Sequence, residues 1–149
     1  MMKGRYTIKE PVTASEWDTY LRIRFEVLRK PWGQPFESTK DETDDESFHL
    51  LVIDEFGDGV AAGRLQFNST DQAQIRSMAV VPHLRGSGIG TLLISELEKK
   101  AKSSGCKEVI LDSREGAVDF YLANGYAVMG DSYLLFGIIP HKAMKKVIG

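Results

Sequence analysis

The chain has 149 residues, of which 42% are hydrophobic and 27% are charged, proportions typical of a globular protein that buries one sizeable core. Its formal net charge of -2 argues against general binding to nucleic acid or to an anionic membrane surface, so any anion must be bound locally. The single cysteine, the lack of an apolar stretch of signal-peptide length at the N-terminus and the lack of any membrane-length run predict one cytoplasmic domain over residues 1–149.

The first half of the chain predicts one helix and a three-stranded antiparallel meander. A short alternating stretch at residues 6–9 indicates an edge strand. Thr13 and Glu16 have the spacing of a capping box, and apolar residues then recur at helical intervals, which predicts a helix from about Ala14 to Leu28. Three β-rich runs follow at residues 48–54, 60–67 and 73–81, separated by turn residues.

Between the helix and the meander lies an acidic segment, defined as residues 30–46. It contains two lysines, Lys30 at its start and Lys40 among the acidic residues, and six carboxylates: Glu37, Asp41, Glu42, Asp44, Asp45 and Glu46. The composition fits either a solvated loop or a lid that attracts a cationic ligand.

The second half begins with a glycine loop, defined as residues 85–91, between a strand and an amphipathic helix that Gly105 ends. Alternate glycines let the backbone approach a bulky anion, and the free amides of the helix N-terminus would face that anion. Thr91 stands where the third glycine of a dinucleotide fingerprint would fall, and no Gly-Lys-Ser/Thr follows as a P-loop requires. A nucleotide-binding Rossmann-like domain is therefore disfavoured.

The remaining elements complete a strand–helix–strand–helix unit. A short strand at residues 109–111 should run parallel to the strand at 73–81, because a right-handed helical crossover joins them. Ala117, Phe120 and Tyr121 lie on a further helix, which Asn124-Gly125 ends. Strands near residues 126–129 and 133–139 are predicted to close the chain.

Two signatures in this half resemble the GCN5-related N-acetyltransferases (GNAT). The first is Arg85-Gly86-Ser87-Gly88-Ile89-Gly90 after Met78-Ala79-Val80-Val81-Pro82, and the second is Ala117-Val118-Asp119-Phe120-Tyr121 before Asn124-Gly125-Tyr126. The resemblance spans about residues 75–129. It implies a mixed α/β fold, the acyl-CoA N-acyltransferase fold, in which an antiparallel meander precedes a β-α-β-α unit whose parallel strand pair is splayed for coenzyme A (CoA).

The resemblance also implies acetyl-CoA as cofactor and assigns residues to it. The pyrophosphate would bind the glycine-loop amides, and the pantetheine arm would pair with the preceding strand. Tyr121 would be the acid that protonates the departing thiolate. Arg114 stands where many family members carry an asparagine. The implied cofactor-binding residues are Met78, Ala79, Val80, Arg85, Gly86, Ser87, Gly88, Ile89, Gly90 and Thr91.

The proton acceptor and the acceptor site remain open at this stage. An amine with a pKa of about 10.4 must lose a proton before it attacks. His141, predicted in a loop just after the last strand, is the first candidate for the base, with His49, Glu46 and Glu115 behind it. His49 fits better as a core residue because it lies within an apolar run.

Arg24 and Arg64 fall in otherwise apolar surroundings, where an arginine usually needs an anionic partner. They either pair with the acidic segment or bind a carboxylate of the acceptor, and with Glu46 they are the candidate substrate residues. We expect direct acetyl transfer from acetyl-CoA to a primary amine of a small molecule or peptide. The alternative is a non-catalytic acyl-CoA sensor on the same fold. We also consider a homodimer, because the exposed last strands of such a sheet often pair between subunits.

Overall fold

The computed structural model describes residues 5–149; the first four residues, on which part of the signal-peptide prediction falls, lie outside the described part. None of the helices in this part is both long and apolar enough to cross a membrane. The helices are α1 (Ala14–Leu28), α2 (Ile89–Ser103) and α3 (Val118–Ala123). The strands are β1 (Thr7–Lys9), β2 (Phe48–Ile53), β3 (Gly59–Phe67), β4 (Gln72–Val80), β5 (Glu108–Arg114), β6 (Ala127–Leu135) and β7 (Ile139–Val147).

The seven strands form one mixed sheet in the order β1-β2-β3-β4-β5-β7-β6. Strands β4 and β5 are parallel, with the register Gln72↔Glu108 to Gln74↔Ile110. Pairs β1–β2, β2–β3, β5–β7 and β6–β7 are antiparallel. Contacts group the chain into two compact units, a first of Met1–Gln66 with Ser77–Leu97 and a second of Phe67–Arg76 with Glu98–Gly149. The expected single domain stays a prediction.

In the first unit, helix α1 has the predicted bounds and the predicted cap. The Thr13 hydroxyl accepts the Glu16 amide at 3.1 Å, and the Glu16 carboxylate accepts the Thr13 amide at 3.1 Å, which is a complete capping box. The buried face of α1 then packs on the sheet through Tyr20, Ile23 and Val27, which form a core cluster with Leu51, Ala62 and Ala79.

In the second unit, the predicted division of the last two strands is wrong. Gly130-Asp131-Ser132 resembles a turn, but it lies inside β6, where the register with β7 shifts at irregular positions. The chain turns instead between Leu135 and Ile139, where Phe136 and Gly137 have φ values of 54° and 74°. Strand β7 therefore starts where the predicted last strand ended.

Candidate functional site

The glycine loop has the geometry of an anion cradle in the first unit. Gly86 and Gly88 have φ values of 80° and 93°, and an added Cβ would meet no atom within 4 Å at either position. Glycine is therefore required there by the backbone conformation and not by crowding. The Leu92 amide donates to the Gly88 carbonyl at 3.0 Å as α2 begins. The Arg85 and Ser87 amides already donate to the Pro82 and Leu84 carbonyls, both at 3.2 Å, so the amides at residues 88–91 are the ones that the helix start leaves without a carbonyl of a preceding turn.

Strand β4 leaves regular geometry immediately before the predicted cofactor strand. Ser77 has a φ of 54°, a left-handed conformation that costs a non-glycine residue about 1 kcal/mol or more. Met78, Ala79 and Val80 follow it, and Ala79 is buried with 2% of its surface exposed. This conformation interrupts the regular alternation of the strand at the residue before Met78.

Tyr121, in the second unit, combines a buried ring with a hydroxyl that has no protein partner. The residue is 8% exposed, and its ring packs edge-on against Phe120 and Tyr126. Within residues 5–149 the hydroxyl makes no hydrogen bond. Burial raises the pKa of Tyr121 to about 12, against an opposing effect of the Arg114 charge. The phenol therefore carries a proton at neutral pH that it can donate.

His141 does not lie in a loop after the last strand, as predicted, but inside β7, where it is buried. Its Nδ1 lies 3.0 Å from the Ile139 carbonyl oxygen, which can only accept, so Nδ1 carries a hydrogen, and in the neutral ring Nε2 carries the lone pair. The ring stacks on Tyr133, with the centroids 4.7 Å apart and the planes 14° from parallel. Packing and the hydrogen bond together fix an imidazole whose Nε2 is a proton acceptor.

Arg24 and Arg64 follow the first of the two alternatives and pair with the acidic segment. Arg24 is 2% exposed and binds Asp44 at 2.7 Å, and its Nη2 donates to the Thr39 carbonyl at 2.6 Å. Arg64 is fully buried and binds both carboxylate oxygens of Asp41, at 2.8 and 2.9 Å. Arg64 also lies 3.1 Å from Asp44. The two guanidiniums are thus occupied by protein carboxylates, and two of the six acidic side chains are neutralised.

His49 is a satisfied core residue, as the apolar run predicted. Its Nε2 donates to the Asp44 carbonyl at 2.7 Å, because that oxygen can only accept, and its Nδ1 lies 2.6 Å from the Tyr20 hydroxyl. Burial lowers the pKa of His49. Both ring nitrogens are engaged, so His49 is not available as a base, whereas Glu46 is exposed at the end of the acidic segment.

One cavity of about 250 Å³ lies in the first unit, beside the acidic segment. Neither the implied cofactor-binding residues nor Tyr121 and His141 line it, so we assign it no part in acetyl transfer. Its lining residues are Glu10, Pro11, Trp17, Lys40, Asp44, Asp45, Ser47 and His49.

Cys106 is unsuited to act as the nucleophile of a two-step transfer, in which the protein would first take the acetyl group onto its own thiol. It is buried, and burial raises the pKa of its thiol, which disfavours the nucleophilic thiolate. Within residues 5–149, no group of three or more His, Cys, Asp or Glu side chains is placed to hold a metal ion.

From the sequence, Arg114 was notable only as a departure from the family pattern. In the structure it is the last residue of β5, and its Cα partner across the antiparallel ladder is His141. Its charge also acts on Tyr121. The sequence contained no direct signal for this grouping, because it depends on the register between β5 and β7.

Comparison with known proteins identifies the fold and the family signature. The sequence profile of the acetyltransferase (GNAT) family matches residues 14–126. YjcF of Bacillus subtilis strain 168, named an uncharacterised N-acetyltransferase, is 34% identical over 125 residues, which cover 83% of this chain and 87% of YjcF.

Two solved structures share the fold. A candidate N-acetyltransferase of Lactobacillus plantarum has a TM-score of 0.85 at 18% identity, covering 97% of this chain and 99% of that one. An aminoglycoside 6'-N-acetyltransferase complexed with coenzyme A has a TM-score of 0.77 at 19% identity, covering 95% and 96%. The predicted mixed α/β fold of the acyl-CoA N-acyltransferases is confirmed.

Proposed function

The chain belongs to the GNAT acetyltransferase family, and from this premise we propose that it transfers the acetyl group of acetyl-CoA directly to a primary amine of a small molecule or peptide. Membership confirms the expected enzyme class, an acyltransferase, and the expected cofactor, acetyl-CoA. The acceptor, the residue roles, the homodimer and the cytoplasmic location stay predictions.

The glycine loop is the observation that carries the cofactor part of the proposal. Gly86 and Gly88 adopt left-handed backbone conformations in an exposed loop that leads into α2. Amides at the start of a helix bind phosphate oxygens well, because they have no internal partner and the helix dipole favours negative charge. We assign the CoA pyrophosphate to residues 85–91, and the pantetheine amides to the main chain of Met78, Ala79 and Val80.

An acceptor that is an ammonium ion in water loses two protons on its way to the amide, one before the attack and one after it, while sulfur gains one proton and the other goes to solvent. The base is proposed for the proton that leaves before the attack. The amine nitrogen attacks the thioester carbonyl, the carbon–sulfur bond breaks, and the thiolate leaves. In the proposal, the Nε2 lone pair of His141 accepts the amine proton, and the Tyr121 hydroxyl donates to the thiolate. Fixing both reactants in one complex supplies much of the rate enhancement.

Two measurements test this function. Acetyl-CoA at millimolar concentration should raise the thermal unfolding midpoint, because a ligand that binds only the native state stabilises it. Release of free thiol from acetyl-CoA should then depend on an added amine, tested with polyamines, aminoglycosides, amino acids and peptides. Stabilisation by CoA without thiol release for any amine would favour the non-catalytic sensor, and no stabilisation at all would contradict the cofactor assignment.

A further inference from the structure

Arg114 lies on the same side of the second unit's sheet as the proposed base. It is the last residue of β5, opposite His141 in the β5–β7 ladder. Directly opposed residues of antiparallel strands project their side chains from the same face, with Cβ atoms about 5 Å apart. The Arg114 side chain therefore leaves the sheet next to the side chain of His141, whose Nε2 has no hydrogen-bond partner within the described residues.

The Arg114 charge also reaches the proposed acid. It lowers the pKa of Tyr121, opposing the larger effect of burial. Arg114 is thus the cation that acts on Tyr121 and adjoins His141.

Arg114 is half-buried, yet it has no protein anion to bind. Within the described residues its guanidinium makes no ion pair and no hydrogen bond. On the neighbouring strands, Asp112 accepts hydrogen bonds from Ser132 at 2.6 Å and Gln74 at 3.4 Å, and Asp131 pairs with Lys142. Glu115, the next residue along the chain, is exposed and forms no ion pair with Arg114. Five N–H donors of a partly desolvated cation are left for a ligand.

The two buried arginines of the first unit differ from Arg114 because each has a protein counter-ion. Arg24 and Arg64 are buried and are both neutralised by aspartates of the acidic segment. This protein therefore supplies anions to its arginines where they are structural. An arginine without such a partner, beside the proposed catalytic groups, is placed for an anion that arrives with a substrate.

We infer that Arg114 binds a carboxylate of the acceptor, so that the acceptor is an amine that also carries a carboxylate, such as an amino acid or a peptide. The inference rests on the proposed function and specifies its substrate class. A guanidinium suits this role because its planar fork binds both carboxylate oxygens at once. The proposal assigns the CoA pyrophosphate to the glycine loop and the guanidinium of Arg114 to the acceptor.

Matched pairs of acceptors isolate the carboxylate. Glycine is compared with methylamine, lysine with 1,5-diaminopentane, and 6-aminohexanoate with pentylamine, so that each pair differs only in the carboxylate. For at least one pair we expect kcat/KM to be about 10- to 100-fold higher for the amino acid, the usual range for charge-assisted hydrogen bonds, and to arise through KM. Arg114→Gln should reduce this ratio to within about threefold of unity.

Two further variants separate the binding role from other effects. Arg114→Lys keeps the charge but not the fork, so it should retain part of the preference. Lys145→Gln removes a cation from β7 that pairs with Glu108 at 3.7 Å, and it should leave the ratio unchanged. The KM for acetyl-CoA should stay the same in Arg114→Gln. A loss of kcat shared by all acceptors that accompanies the fall in the ratio would report the effect of Arg114 on Tyr121, whereas a shared loss with an unchanged ratio would count against the carboxylate site.

The outcomes distinguish this inference from the proposed function. Acetylation of amines with no carboxylate preference, or an equal loss on both members of every pair in Arg114→Gln, would overturn the inference and leave the transferase activity intact. If no amine is acetylated, propionate and propylamine are titrated into the CoA-bound protein by calorimetry. Propionate binding that Arg114→Gln abolishes would still support the carboxylate site, and no propionate binding to the wild type would refute it.

Discussion

At the scale of single residues, the same residue type has different roles according to whether the protein provides its counter-ion. Arg24 and Arg64 have aspartate partners and hold the acidic segment. The carboxylates of Asp41 and Asp44 are therefore engaged in ion pairs within the protein. Arg114 has no protein partner within residues 5–149 and lies opposite His141. Sequence alone could not separate these cases, because each depends on residues distant along the chain.

Tyr121 supports a direct test of acid catalysis. Tyr121→Phe removes only the hydroxyl, which has no partner in the described part of the chain, so the packing against Phe120 and Tyr126 should persist. We expect kcat to fall by about 100-fold or more, the usual contribution of a positioned acid. Stopped-time assays of thiol release give kcat.

The control for this variant is cofactor binding. The midpoint shift produced by CoA should equal that of the wild type, because the proposed pyrophosphate site lies in the glycine loop. Unchanged turnover would remove Tyr121 from the mechanism, and a lost midpoint shift would mean that the hydroxyl serves CoA binding instead.

At the scale of elements, the sequence predicted the bounds of helix α1 correctly but misplaced the turn of the last hairpin. The bounds of α1 followed from a capping box and helical periodicity, both contained within a few residues. Strands β6 and β7 were misplaced because Gly130 and Pro140 resemble strand ends. In the structure Gly130 lies at a register shift and Pro140 pairs with Leu134 beside another, positions where a ladder tolerates them.

Misplacing the last hairpin also misplaced a candidate site residue, His141. Placing β7 at Ile139–Val147 moves His141 from a loop into the sheet, where its Nδ1 is held by a backbone carbonyl and its ring by Tyr133. The role of His141 as the base stays a prediction, and its neighbours are set by the register between strands, which the sequence does not show. For that reason the Arg114–His141 pairing was not foreseen.

The glycine loop yields a prediction with a close control. Gly88→Ala and Gly57→Ala both add a methyl group at a left-handed position, with φ values of 93° and 87° and open space around each. Each should cost about 1 kcal/mol of stability. Only Gly88→Ala should weaken CoA binding, by about tenfold, because it displaces amides that bond a charged ligand.

Urea unfolding and CoA titration check the two parts separately. Equal loss of stability with unequal CoA affinity would support the loop as the phosphate site. Equal CoA affinity in the two variants would show that the left-handed geometry at Gly88 is not needed for the cofactor.

At the scale of the whole molecule, buried ionisable groups set a pH range of stability. Burial raises the pKa of Asp44, but hydrogen bonds from Arg24 and the Asp41 amide, with the charges of Arg24 and Arg64, outweigh it and lower the pKa below the ordinary 3.8. A lowered folded-state pKa contributes stability above the unfolded value, which is lost as pH falls below about 4. Burial raises the pKa of Tyr121 to about 12. That contribution is complete below about pH 10 and is lost as the pH rises towards 12.

The loss of stability at acidic pH can be assigned to one carboxylate by comparing Asp44 with its neighbour Asp45. Asp44→Asn leaves Arg24 buried without its counter-ion, and we expect a loss of about 3–5 kcal/mol at pH 7, with a flatter decline in stability below pH 4. Asp45→Asn removes an adjacent carboxylate that is 92% exposed and lies 3.6 Å from Lys40, so its effect should stay within about 0.5 kcal/mol. Urea unfolding from pH 3 to pH 7 measures both. If the two variants lose similar stability, the ion pairs do not hold the acidic segment, and its fixed position must come from the backbone hydrogen bonds of two 3₁₀ turns within it, Phe36–Thr39 and Asp44–Glu46.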